Sequence, residues 1–465
     1  MKEKNISTSR LLNEYVAEAP FYYKNINLRN IYLNDTLFRV IFHQNEDKEP
    51  REFVRRAVSY LMRWRNRDSL LREERSFDSF HGGIKYLFVC GFAKSNHVFS
   101  ILADLIEAIE DKDCVLVVTD QRDVYEYYSG RGLKVIYLKA SRFYFDPEIV
   151  RKENGPHTAF MMSRAELFID YADKLYDEFS PKVVMTTQDC WAFDQCFVHA
   201  ARNKGIMTIT HMHGVINDSG FSIFEHVFAD KIMLWGENHR RRFARFYSDD
   251  RLIVMGTSKF DHLLSCSGPG ERIYITLAIN TLIKKTNINI ISKVINALKV
   301  LPDAIKEKYT FMLKLHPALN SREWERLMKV IARKHCFDMT WEVRSSGNKE
   351  IFYQSKLLIV VGLSTAALEA MICGVSVIEL ILNEKHGRGL FKDIPDLLIP
   401  VDRLAQEVKD RIEDEEYNAG ILERHKKYVR DEISSFHCVK KELEVIDALI
   451  KEREQEGNNA QGILH

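Results

Sequence analysis

The chain has almost no net charge: 67 lysines and arginines stand against 66 aspartates and glutamates in 465 residues, a formal +1. No overall field draws it to nucleic acid or an anionic membrane, so any anion site must be local. C-x-x-C pairs are absent too. The eight cysteines (Cys90, Cys114, Cys190, Cys196, Cys266, Cys336, Cys373, Cys438) are scattered, which suggests neither a zinc site nor a disulfide framework and fits reduced thiols. The opening MKEKNISTSRLLNEY has no apolar core of signal-peptide type. There is no uninterrupted membrane-length apolar run: LLIVVGLSTAALEAMICG (357–374) carries Glu369 near its middle. A cytoplasmic protein is expected. Internal repeats and low-complexity tracts are also missing, and no D-x-D follows a strand pattern; DKD (111–113) precedes one, in a solvated turn.

What is present is ordinary globular material, 46% apolar and 29% charged, long enough for two or three cores. Residues 1–80 are expected to form a largely helical extension. Within it REFVRRAVSYLMRWRNR (51–67) sets six arginines around an apolar face. That pattern suits a helix packed on the next domain with solvated arginines; it also suits peripheral contact with an anionic membrane face. From residue 84 short apolar runs alternate with helical patterns: IKYLFVC (84–90), DCVLVVTD (113–120), LKVIYL (133–138), KVVMTT (182–187), IMTIT (206–210) and DKIMLW (230–235). A second series holds RIYITLAI (272–279), YTFMLKL (309–315), MTWEV (339–343), KLLIVV (356–361) and SVIELI (376–381). Such alternation predicts α/β architecture with two Rossmann-like doubly wound units facing across a cleft. The expected divisions are 1–80, a first unit at 81–264, a second at 271–400 and charged helices at 401–465. SCSGPG (265–270) is the expected hinge.

Ligands of doubly wound folds bind beyond the carboxyl ends of strands. After KLLIVV, Gly362 permits a tight turn, Ser364 is the expected cap and the helix begins near Thr365. Free amides, the helix dipole and two hydroxyls there suit a phosphate or diphosphate. Glu369, one turn deeper, can accept hydrogen bonds from a ribose diol or bond a neighbouring amide. In LKLHPALN (313–320), His316 ends a strand and Pro317 stops it. HMHGVINDSG (211–220) gathers His211, His213 and Asp218 in one loop. H-x-H invites a metal, but no third ligand lies at suitable spacing, and His213 as general base is the more economical assignment. Asp189 in TTQDCW (186–191) is a base, an acceptor-hydroxyl ligand or, preferably, a helix cap.

Taken together, the H-G loop, the H-P turn and Ser-Thr leading a helix with E-A-M resemble the GT-B glycosyltransferases that build capsules, teichoic acids and polysialic acid. ADKIMLWGENHRRRF (229–243) and IVMGTSKFDHL (253–263) resemble the segments before the domain linker in that class. The resemblance spans roughly residues 84–385. It implies a metal-independent, inverting transferase using a nucleotide-sugar or CDP-glycerol-type donor and a glycan or glycolipid acceptor. His316 would contact the donor's nucleotide or phosphate, Ser364 and Thr365 would hold phosphate, and Glu369 would hold ribose. His213 matches the H-G histidine proposed as base in glycerophosphate-polymer transferases. NDSG (217–220) departs from the acidic D-D-G or E-D-G of the sialyltransferase branch, so Asp218 matches only in part, while Ser-Thr sits closer to Kdo transferases. Two other readings stand beside this one: a non-hydrolysing UDP-N-acetylglucosamine 2-epimerase, disfavoured because GLST replaces its phosphate loop, and an inactive GT-B scaffold.

Overall fold

The structure, a computed structural model, describes residues 22–28, 31, 71–78, 83–91, 95–140, 156–187, 189, 191–212, 214, 226–264, 271–279, 284–316, 319–362, 364–382 and 397–462. The first unit contains strands β1 (Leu71–Arg75), β2 (Tyr86–Cys90), β3 (Val115–Thr119), β4 (Lys134–Ala140), β5 (Val183–Thr186), β6 (Met207–His211), β7 (Lys231–Leu234) and β8 (Leu252–Val254). They form one eight-stranded sheet in the order β8-β7-β6-β5-β2-β3-β4-β1, parallel except that β1 runs antiparallel to β4. Its helices α1 (Ser95–Ala108), α2 (Arg122–Ser129), α3 (Pro156–Phe179) and α4 (Ala192–Asn203) alternate with these strands, and α5 (Glu237–Phe243) lies between β7 and β8. Central strands such as β2, β3 and β5 are buried at every position, as expected where helices cover both faces of a parallel sheet.

The second unit is a wholly parallel six-stranded sheet. Strands β9 (Tyr274–Ala278), β10 (Thr310–Lys314), β11 (Trp341–Arg344), β12 (Ser355–Val360), β13 (Ser376–Ile381) and β14 (Leu398–Pro400) lie in the order β11-β10-β9-β12-β13-β14. Helices α6 (Lys284–Leu298), α7 (Ser321–His335) and α8 (Thr365–Ile372) connect them. Helix α7 starts where the Asn320 side chain accepts the Glu323 amide, and it stops at Cys336 in the left-handed region.

Both sheets thus reverse strand order beside their first parallel strand: between β2 and β5 in one, between β9 and β12 in the other. Those two switch points are where a doubly wound fold holds ligands. One strand departs from the sequence-based expectation. Strand β1 shows that the stretch before residue 80 is not helical throughout, since Leu71–Arg75 extends the first sheet at its edge. Its sequence, LREER, is mostly exposed and gives no apolar alternation to betray a strand. The basic stretch 51–67 and the hinge 265–270 lie outside the described residues.

The C-terminal helices α9 (Leu404–Glu413), α10 (Glu415–Glu432) and α11 (Val439–Gly462) are not an appendage. Helix α9 buries Leu404 and Val408 in the second unit's core. Helix α10 places Ile421, Tyr428 and Val429 in a cluster that also holds Trp235, Phe243 and Phe260 of the first unit and Ala367 and Leu368 of α8. Helix α11 then returns to the first unit, where Ile446, Leu449 and Ile450 join the core under β2, β3 and β6. One apolar cluster therefore runs through both units and fixes them against each other.

Candidate active site

Strand β12 is apolar and fully buried from Leu357 to Val360, so the polar run that follows must emerge at the sheet's carboxyl end. Gly362 takes φ +70°, a left-handed turn that a side chain resists, and among the described residues nothing lies within 4 Å of where its Cβ would be. Ser364 then occupies the cap position of α8 in extended backbone, but its hydroxyl makes no capping bond. The expected cap is therefore present in position and not in chemistry. The first-turn amides are not taken by that hydroxyl, at the positive end of the helix dipole.

Across from this helix start stands the H-G loop of the first unit. Met212 is buried; its amide donates to the Met233 carbonyl and its own carbonyl accepts the Trp235 indole N–H at 3.0 Å. Gly214 follows, so close to α8 that an added Cβ would sit 3.7 Å from Thr365 Oγ1. His213 and Asp218 themselves lie outside the described residues, as does Pro317.

Glu369 is partly exposed on α8, one turn below Thr365. Its charge acts on two lysines, one from each unit. Lys314, the last residue of β10, is buried and donates to the Leu315 carbonyl at 3.1 Å. Burial pushes its ammonium below the ordinary lysine value and Glu369 draws it back up. Lys259 follows β8; its Nζ lies 5.4 Å from the centroid of the Trp235 ring, the same ring that braces Met212. Burial pushes it down to about 8, again opposed by Glu369. His316, two residues past Lys314, is partly exposed beyond the same strand, and its carbonyl accepts the Leu319 amide.

The remaining histidine of the HMHG run and the candidate acid after β5 are placed otherwise. His211 is buried, with Nε2 at 2.5 Å from Glu442 of α11 and Nδ1 against the Thr186 carbonyl. Asp189 does not cap α4, whose cap position is Trp191. It is fully buried, and its Oδ2 accepts the amides of Phe228 and Ala229 just before β7. Burial pushes that carboxyl up to about 7 against those amide bonds. It braces a loop. Neither lysine was singled out from sequence, although both stand inside motifs quoted for other residues. A charge within the apolar run FMLKL was a usable signal for Lys314; Lys259 offered none.

Among the described residues, no group of three or more His, Cys, Asp or Glu side chains is arranged to hold a metal ion, and no helix is long and apolar enough to cross a membrane. The site is one of hydroxyls, a helix start, two ammonium groups and one carboxylate, which suits a polyanion carrying neutral hydroxyls.

No protein-family model and no curated protein sequence matches the chain. Solved structures do. A glycosyltransferase from Rickettsia africae superposes with TM-score 0.53 at 11% identity, covering 80% of this chain and 100% of that one. A UDP-N-acetylglucosamine 2-epimerase from Rickettsia bellii gives 0.50 at 16%, covering 80% and 98%. MurG from Acinetobacter baumannii gives 0.50 at 13%, covering 79% and 99%. The chain has the two-domain GT-B fold shared by such transferases and epimerases.

Proposed function

We propose that this chain is a glycosyltransferase that uses a nucleotide-activated donor to build a surface polysaccharide or glycoconjugate. The observation that carries the reading is the start of α8 at the second unit's switch point. There Ser364 holds the cap position without a side-chain capping bond, and the Thr365 hydroxyl stands against Gly214 of the first unit. The second unit, 271–400, would hold the donor: phosphate on Ser364 and Thr365, ribose on Glu369, and base or phosphate on His316 and Pro317. The first unit, 81–264, would bring the acceptor hydroxyl. His213, or Asp218 in its place, would take the hydroxyl's proton as the oxygen attacks the anomeric carbon and the nucleotide leaves with inversion. Charge developing on the leaving diphosphate would be met by the helix dipole, hydroxyls and ammonium groups, so the reaction is expected to proceed without a metal.

The epimerase alternative gains from the likeness to the Rickettsia bellii enzyme, which shares the fold. It needs first-unit acids facing the cleft, whereas Asp189 is buried and committed to two amides. Thermal unfolding with CMP, CDP, UDP and GDP tests the proposal. The matching nucleotide at a hundred times its dissociation constant should add about 2.7 kcal/mol. No shift with any of the four counts against both enzymes. Slow hydrolysis of the bound donor supports the transferase; isomerisation of free UDP-N-acetylglucosamine replaces it with the epimerase.

A further inference from the structure

Helix α11 is docked on the first sheet by Ile446, Leu449 and Ile450, yet one turn before Ile446 it also buries a carboxyl, Glu442. Glu442 Oε1 lies 2.5 Å from Nε2 of His211, the last residue of β6, and the other ring nitrogen faces the Thr186 carbonyl at 3.3 Å. That carbonyl can only accept, so Nδ1 bears a hydrogen, and Nε2 shares one proton with Glu442. Both nitrogens are committed, which leaves His211 none to offer a substrate. A buried polar pair is a weak way to attach a helix, since well-packed apolar residues often serve as well. What the pair adds is direction, because a ring bonded at both nitrogens has one orientation. Just before α11, Ser434 donates its amide at 2.8 Å and its hydroxyl at 3.1 Å to the carbonyl of Trp235, whose indole holds the Met212 carbonyl. His211 and Met212, the two residues that lead into the H-G loop, are thus each tied to the segment 434–442 that returns the chain to the first unit.

We infer that Glu442 is a positioning residue: acting through His211, it sets the course on which the chain leaves β6 and, with it, the approach of Gly214 to Thr365 at the start of α8. The inference rests on the function proposed above and adds to it that the C-terminal helix orients the loop bearing the candidate base. Gly214 stands three residues beyond His211, at most about 11 Å of extended chain, so a swing at the imidazole reaches α8 with little slack. An added Cβ at Gly214 would already sit 3.7 Å from Thr365 Oγ1, which places the segment against the second unit. A displacement of about 1 Å at reacting groups is enough to slow a reaction on the order of a hundredfold.

The test follows amide hydrogen exchange by mass spectrometry in peptides spanning 207–214 of the full chain, together with turnover. Glu442→Leu removes the partner of the ring and keeps an apolar face on α11. Leu449→Ala is the control, since it weakens the docking of the same helix and leaves His211 paired. Exchange at the Met212 amide should rise about tenfold or more in Glu442→Leu and stay near the wild-type rate in Leu449→Ala. Glu442→Gln, which can still bond Nε2, should restore the wild-type rate. Hydrolysis of the CMP-, CDP-, UDP- or GDP-linked sugar whose nucleotide stabilises the wild type gives the second readout. There Glu442→Leu alone should lower kcat about tenfold or more with KM kept. Unchanged exchange in Glu442→Leu overturns the inference and leaves the proposed function standing. Equal effects in Glu442→Leu and Leu449→Ala also overturn it, because docking of α11 is then all that matters. Raised exchange with wild-type kcat overturns the positioning role. If the wild type binds and hydrolyses none of these donors, the proposed function falls, while the exchange comparison still decides whether Glu442 holds the loop. Should Glu442→Leu not fold, Glu442→Ala is read by the same criteria.

Discussion

At Gly362 the backbone does what a side chain would oppose: φ is +70° with open space on the Cβ side. Gly362→Ala therefore meets no neighbour and should cost only the left-handed backbone penalty, about 1–2 kcal/mol. Urea denaturation measures that cost. A loss well above it would mean the turn is packed in a way the structure does not have. The neighbouring candidates divide by role. His316→Ala should weaken nucleotide binding, whereas His213→Ala should slow turnover with binding retained; KM and kcat measured separately decide it, and the reverse pattern exchanges the assignments. Gly362, Ser364 and Thr365 were legible in the sequence because a strand, a turn and a helix start are local events, set within about ten residues. Lys259 was not legible. Its partners Trp235 and Glu369 are 24 and 110 positions away, and only packing joins them.

Helix α10 is held to α5 by one buried anion. Glu432 accepts from Asn238 Nδ2 at 2.9 Å and Arg242 Nη1 at 3.0 Å, and lies 3.0 Å from His239 Nε2. Burial pushes this carboxyl up, but His239, Arg242 and Asn238 together hold it down to about 2. A carboxyl depressed on folding adds stability that is complete above its unfolded value, near 4.3, and is lost as pH falls through the folded value. Stability of the wild type should therefore decline from about pH 5 towards pH 2. Glu432→Gln should flatten that decline and cost on the order of 3 kcal/mol at pH 7 by leaving Arg242 buried without its anion. Urea midpoints across that pH range check both; a variant whose curve parallels the wild type would show that the contact contributes little. Helix α10 itself was expected from its charged periodicity. Nothing in that pattern named its partner, because a helical stripe shows which face is buried and not what buries it.

For the molecule as a whole, the last helix belongs to the first unit's core. A chain ending at Cys438 loses Ile446, Leu449 and Ile450 from beneath the first sheet, together with the Glu442–His211 contact and the Asp447–Lys85 pair. At about 1.5–3 kcal/mol per buried side chain, that approaches the whole stability of a typical domain. The shortened chain should lose cooperative thermal unfolding and become insoluble, as calorimetry and sedimentation would register. A soluble product with one sharp transition would place α11 outside the cooperative unit. Alternating strands and helices along the chain were enough to determine two doubly wound sheets and the position of the phosphate-suited turn, since hydrophobic periodicity and turn chemistry act between near neighbours in sequence. Tertiary structure alone decided that Asp189 braces a loop and that LREER lies on a sheet edge. It also decided that the C-terminal helices cross back to the first unit. Each of those outcomes depends on which surfaces bury each other, and burial is set by the assembled chain rather than by any stretch of it.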